Sequence, residues 1–219
     1  MASPFLAWQL ADSAFPTGAF AHSWGLEAAW QHGEIRDASA VAHFVEAAVQ
    51  QTAFGVVPLL NAAYGDARRW AELDALADAF LINAVANRAS RQQGRTLLAT
   101  AARIWPSPAM AVAREAGARL CTHLGPASGV VFESVGVPLA TAQQLALFGT
   151  ARGVLSAAVR LGILGSYEAQ RLQLACAPFL DAWGARCAAL DDGDLLQIAP
   201  IPDLLQATHD RLYSRLFQS

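Results

Sequence analysis

Four groups of residues in this chain have the types and spacing that could do chemistry. Near the start, FPTGAFAHSWGLE (Phe15 to Glu27) sets His22 beside Ser23 and adds a carboxylate at Glu27, the ingredients of a nucleophile, a base and an orienting acid. The triplet Cys121-Thr122-His123 offers a thiol and an imidazole, two ligand types for a soft or borderline metal. LGPASG, Leu124 to Gly129, has the glycine content of a phosphate cradle. Arg88, Arg91 and Arg95 repeat at the spacing of one helix face, where guanidinium forks bind carboxylates in pairs.

None of the four completes a catalytic constellation. Sequence neighbours such as His22 and Ser23 rarely have the side-chain geometry for proton transfer, and a nucleophile elbow needs G-x-S-x-G on a strand-turn-helix, where this chain reads FAHSWG. Cys121 and His123 have no matching ligand pair nearby in the sequence, so the triplet reads as an interhelical turn with a buried thiol and no metal site is assigned. LGPASG lacks the Walker and G-x-G-x-x-G spacings and reads as a loop. His43 and His209 fall at helical positions and read as surface or packing histidines.

Composition narrows the class further. The chain has 219 residues, of which 54% are hydrophobic and only 15% charged, against about 25% charged in an average soluble domain. Some apolar surface is therefore expected to meet a partner. A net charge of -3 with no concentrated basic patch argues against nucleic acid. All fifteen basic residues are arginine, which excludes Schiff-base chemistry and a Walker A lysine. Three scattered cysteines, Cys121, Cys176 and Cys187, read as thiols in a reducing compartment. MASPFLAWQLADS has no basic flank of the signal-peptide kind, and Ser134 to Ala151, the longest uncharged run, is broken by Pro138 and too polar for a membrane span.

The elements that must position these residues are helical. Val41, Phe44, Val45, Ala48, Val49 and Thr52 draw one stripe after an N-cap at Asp37, and Leu73 to Ala84 draw a second. Leu172 to Cys187 draw a third, with Pro178 predicting a kink or break. From Thr141 to Leu164 apolar residues occur all round, as in a helix surrounded by others. The expectation is an all-α single-domain helical bundle over residues 1–219 with a central apolar helix. Its C-terminal segment reads as an extended Pro-x-Pro followed by an amphipathic helix, in which Leu212, Tyr213, Leu216 and Phe217 form an apolar stripe beside Arg211 and Arg215.

Four stretches carry a family resemblance: QLADSAFPTGAFAHSWGLEAA, ASRQQGRTLL, LSAAVRLGILG and LYSRLFQS, in that order over nearly the whole length. The chain resembles the UreF family of urease accessory proteins. The resemblance implies an all-α cytoplasmic protein with no catalysis of its own, a homodimer within an assembly with UreD (also called UreH), the GTPase UreG and apo-urease. Nickel and GTP would be handled by that complex, with no cofactor bound directly here. Phe20, His22, Ser23, Gly25 and Glu27 match the family's opening motif and are expected to serve docking. Arg91 and Gly94 in SRQQG, Arg160 in SAAVRL, and Arg211, Tyr213, Arg215, Leu216 and Phe217 at the C-terminus complete the expected partner-binding set.

Two departures stand out: ILGS at Ile163 to Ser166 where many members read PLGQ, and Val57 where many carry an acidic residue before the proline equivalent to Pro58. Two other classes compete with the scaffold. An α-helical hydrolase would use His22, Ser23 and Glu27, and a ligand-binding transcriptional regulator would need a basic reading head, which the N-terminus lacks.

Overall fold

The computed structural model describes residues 4–219, so the first three residues of the N-terminal run lie outside the described part. Among the described residues there is no strand. The helices are α1 (Pro4–Ala11), α2 (Leu26–Gln31), α3 (Ala38–Gly55), α4 (Val57–Gly65), α5 (Trp70–Phe80) and α6 (Ala84–Ile104) in the first half. The second half adds α7 (Pro108–Gly117), α8 (Leu124–Ser134), α9 (Leu139–Arg160), α10 (Ser166–Ala175), α11 (Ala177–Cys187) and α12 (Pro200–Ala207).

Local chemistry accounts for most of the boundaries. The Asp37 carboxylate accepts the Ala40 N–H at 2.8 Å and starts α3, whose buried face is the stripe from Val41 to Thr52. Pro178 lies in the first turn of α11, and the chain breaks at Cys176, where the proline cannot continue the hydrogen-bond ladder of α10. Cys176 and Cys187 are packing residues, and burial pushes both thiols upward, Cys187 to about 11. The stripe from Leu73 to Ala84 is two helices and not one. Asn83 interrupts it, its Oδ1 accepting the Val85 N–H at 3.0 Å to begin α6.

The apolar helix α9 runs between two buried clusters. Leu147, Val154, Leu155 and Ala158 join α2, α3, α10 and α11 in one, while Ala142 belongs to the other, built from α4 to α8. Even more enclosed is α8, with every residue from Gly125 to Phe132 buried. LGPASG is thus the first turns of a core helix and not a loop: Pro126 lies in the opening turn, where a missing N–H costs nothing, and the small residues let α4 approach closely. No helix among the described residues is long and apolar enough to cross a membrane.

The C-terminal segment differs most from its expected form. Pro200 and Pro202 form the first turn of α12 and are not extended. After a short 3-10 turn at His209–Arg211 the chain leaves helical geometry altogether, so Leu212 to Phe217 form no amphipathic helix. The physical reason lies in what their backbone N–H groups bind.

Candidate functional site

Three residues of the opening motif have positive φ, Gly18 (φ 77°) before the 3-10 turn and two after it. Trp24 (φ 61°) and Gly25 (φ 86°) turn the chain sharply between the 3-10 turn at Ala19–Ala21 and α2. A Cβ on Gly25 would stand 2.9 Å from Gln206 Cβ and 3.2 Å from the Pro202 carbonyl oxygen, because α12 crosses directly over it. Glycine is required there for both backbone angle and space.

The turn presents His22, Ser23 and Glu27 inward, where all three are buried and all three hold the chain's own tail. Ser23 donates from its N–H and its Oγ to the Ser219 main-chain oxygen at 2.6 and 2.9 Å. The Gln218 N–H donates to Ala21 O at 2.8 Å, and His22 Nδ1 lies 2.6 Å from Ser219 Oγ. The Glu27 carboxylate receives the Leu216 N–H at 2.6 Å on Oε1 and the Phe217 N–H at 3.1 Å on Oε2, with His209 Nε2 at 3.0 Å. Two consecutive N–H groups on one carboxylate satisfy the tail without a helix. Burial, then the electrostatic influence of neighbouring His209 and Arg88, holds the His22 imidazole down at about 4, so it is neutral near pH 7.

Above this clasp, Arg160 lies between two aromatic faces. Its guanidinium carbon is 3.8 Å from the Phe20 ring centroid and 4.2 Å from that of Phe217, and NH1 donates to Phe20 O at 2.5 Å. Phe217 is buried at 5% exposure, packed into this chain's own core. Arg160 thus has partners within this chain, two π faces and a carbonyl. Around the clasp, Tyr213, Leu216 and Phe20 stay outside, at 104%, 53% and 64% exposure. Arg211 is exposed, while Arg215 pairs at 3.2 Å with Asp210, which Arg88 also holds at 2.9 Å.

The other expected site residues lie elsewhere. Arg91 is bonded to Asp78 of α5, so its carboxylate belongs to this chain and not to a partner. Arg95 is exposed beside it. Gly94 is buried against the turn before α8, where a Cβ would meet Thr122 O at 2.1 Å, so its missing side chain allows close packing within this chain. Asp74 fixes that turn by accepting the Thr122 and His123 N–H groups at 3.1 and 2.6 Å. His123 is fully buried, its Nδ1 3.1 Å from Ser90 Oγ and its Nε2 3.2 Å from Asp78 Oδ1. Burial lowers its pKa, whereas the side-chain hydrogen bonds of Asn87, then Arg91, hold Asp78 at about 2. Clasp and turn face one cavity of about 120 Å³, lined by His22, Ser90, Gln93, His123 and Ser219 among others.

Catalysis finds no footing in this arrangement. His22 and Ser23 bond to Ser219 and not to each other, Ser23 is fully buried, and the Glu27 oxygens are taken by the tail. The contacts of His209 with Glu27, and of Asp74 and Asp78 with the turn at Thr122 and His123, were invisible in the sequence, because they span from 45 to 182 residues. For Asp74 and Asp78 the one local signal was the i, i+4 spacing of two acids on α5.

A helical body whose opening motif locks its own tail leaves large side chains exposed around the lock. Comparison with known proteins supplies the family. The UreF family profile matches residues 35–177. Urease accessory protein F of Arabidopsis thaliana is 36% identical over 222 residues, covering 97% of this chain and 91% of that protein. UreF of Arthrobacter sp. (strain FB24) is 33% identical over 96% of this chain and 95% of its own length, and urease accessory protein F of Oryza sativa subsp. japonica is 34% identical over 96% and 83%. The chain belongs to the UreF family of urease accessory proteins. Opening motif and tail fall outside the profile match.

Proposed function

We propose that this chain is a cytoplasmic scaffold in urease maturation, joining UreD/UreH and the GTPase UreG on apo-urease so that nickel reaches the enzyme, and that it works as a homodimer within that complex. Nickel is cargo and GTP is the partner's substrate in this reading. The observation that supports it is the exposed cluster of Phe20, Tyr213 and Leu216 with Arg211 and Arg215 alongside.

The clasp prepares this cluster for binding. With Leu216, Gln218 and Ser219 tied by hydrogen bonds to the opening motif, the tail backbone is ordered before a partner arrives, and less conformational entropy is lost on association. Aromatic and arginine side chains on a fixed backbone are the composition of an interface hot spot, and the two arginines suit a partner face carrying carboxylates.

The reading is tested in cells lacking the gene. Urease apoprotein is expected to accumulate without nickel or activity, and the intact gene is expected to restore both. Full, nickel-loaded urease in the deletion strain would refute the assignment.

A further inference from the structure

A thiol, an imidazole and a carboxylate converge where α5 meets the turn before α8. One ligand atom each from Asp78, Cys121 and His123 lies within 4.8 Å of the others. The His123 Nε2 to Asp78 Oδ1 separation of 3.2 Å is close to the spacing of about 3.3 Å that two donors adopt across a tetrahedral ion with bonds near 2.0–2.1 Å. Cys121 is only half-buried, leaving a route from solvent.

The supports around these atoms are those of a held ligand set. Ser90 Oγ accepts the Leu124 N–H at 3.1 Å and lies 3.1 Å from His123 Nδ1. When Nδ1–H donates to that oxygen, Nε2 turns its lone pair toward Asp78, the tautomer a metal requires. The backbone between the two ligands is also fixed at a conformational cost. Thr122 lies at φ 62°, an angle uncommon for a non-glycine residue. It is held there by Asp74 on its N–H and by its own Oγ1 donating to Gly117 O at 2.8 Å. Released from these restraints, Thr122 would relax and carry Cys121 and His123 apart.

We propose that Asp78, Cys121 and His123 form a binding site for one borderline divalent transition-metal ion, of the zinc and nickel class, with water in the remaining position. Sulfur, nitrogen and carboxylate donors select this class over magnesium and calcium, which take oxygen alone. In the ion-free chain Asp78 Oδ1 accepts from Arg91 and, at 2.9 Å, from Asn87, so an ion bound through this oxygen must displace the guanidinium. The site is distinct from the tail clasp, and its test does not depend on the docking reading.

The full untagged chain, reduced and stripped with chelator, is titrated with Co²⁺ as a spectroscopic probe and then with Zn²⁺ and Ni²⁺ in competition. One Co²⁺ per chain with a near-ultraviolet thiolate charge-transfer band is expected, displaced by Zn²⁺. Cys121→Ser should abolish the band, and Asp78→Asn and Ser90→Ala should each weaken Zn²⁺ binding about tenfold or more. Cys121→Ser is expected to keep the wild-type thermal transition, and Cys176→Ala should leave the band intact. Absence of the band in the wild-type chain, its survival in Cys121→Ser, or wild-type Zn²⁺ affinity in Asp78→Asn would overturn the proposal.

Discussion

Glu27 and His209 meet at 3.0 Å in the interior, 182 residues apart in sequence and at 2% and 0% side-chain exposure. The same carboxylate receives the Leu216 and Phe217 N–H groups, so one buried acid near the start of the chain fixes how it ends.

Glu27→Gln is isosteric but puts an NH₂ where one of three donors now finds an oxygen. Loss of a charge-assisted bond and a donor facing a donor should cost about 2–3 kcal/mol. Denaturant unfolding measures the total, and limited proteolysis locates it. Cleavage after Arg211 or Arg215 should become rapid while the bundle stays intact, and unchanged stability with a protected tail would count against the clasp.

Arg160→Lys keeps the charge and loses the planar face between Phe20 and Phe217. A loss of about 1 kcal/mol is expected, with Arg160→Ala costing more because the two rings then lose packing as well. Equal thermal transitions for wild type and Arg160→Ala would show that the stack contributes nothing.

His22 gives a pH dependence of defined sign. Its unfolded imidazole titrates at 6.5 and its folded one at about 4, held down by burial and by the electrostatic influence of His209 and Arg88. Between those values unfolding takes up a proton. The stability it protects is therefore present above pH 6.5, falls as pH falls, and is fully lost below about 4, a swing on the order of 3 kcal/mol. Unfolding free energies of wild type and His22→Gln from pH 7 to 4 isolate this contribution from the carboxylates. Parallel profiles for the two proteins would contradict it.

Gly94→Ala tests the turn before α8. Its methyl would lie 2.1 Å from Thr122 O, a backbone atom that Asp74 and Gly117 already hold in place. Destabilisation of about 3 kcal/mol or loss of folding is expected, read as a fall in the thermal midpoint. An unaltered midpoint would mean that the turn yields freely.

The helices with continuous stripes were legible in the sequence because burial along one helix face is a local pattern. The cap at Asp37 and the break before Pro178 were legible for the same reason. LGPASG was misread, since small residues that let two helices touch look the same in sequence as small residues that make a loop. In the tail, i, i+4 spacing suggested a helix, but the N–H groups of Leu216 and Phe217 bind Glu27, a partner that no window around residue 216 contains. Arg91 and Gly94 carried a family signature without revealing that their contacts are internal.

The most direct test of the docking account replaces Tyr213 and Leu216 together by Ala, leaving Phe217 and the clasp untouched. Deleting Leu212 to Ser219 would instead remove Phe217 from the core and confuse stability with binding. Both side chains are exposed, so the thermal transition should match wild type. An aromatic anchor at an interface is worth roughly 2 kcal/mol or more, about thirtyfold in affinity. Co-purification of UreD with the double variant should therefore fall by at least that factor. Recovery of UreD at wild-type yield would contradict the account.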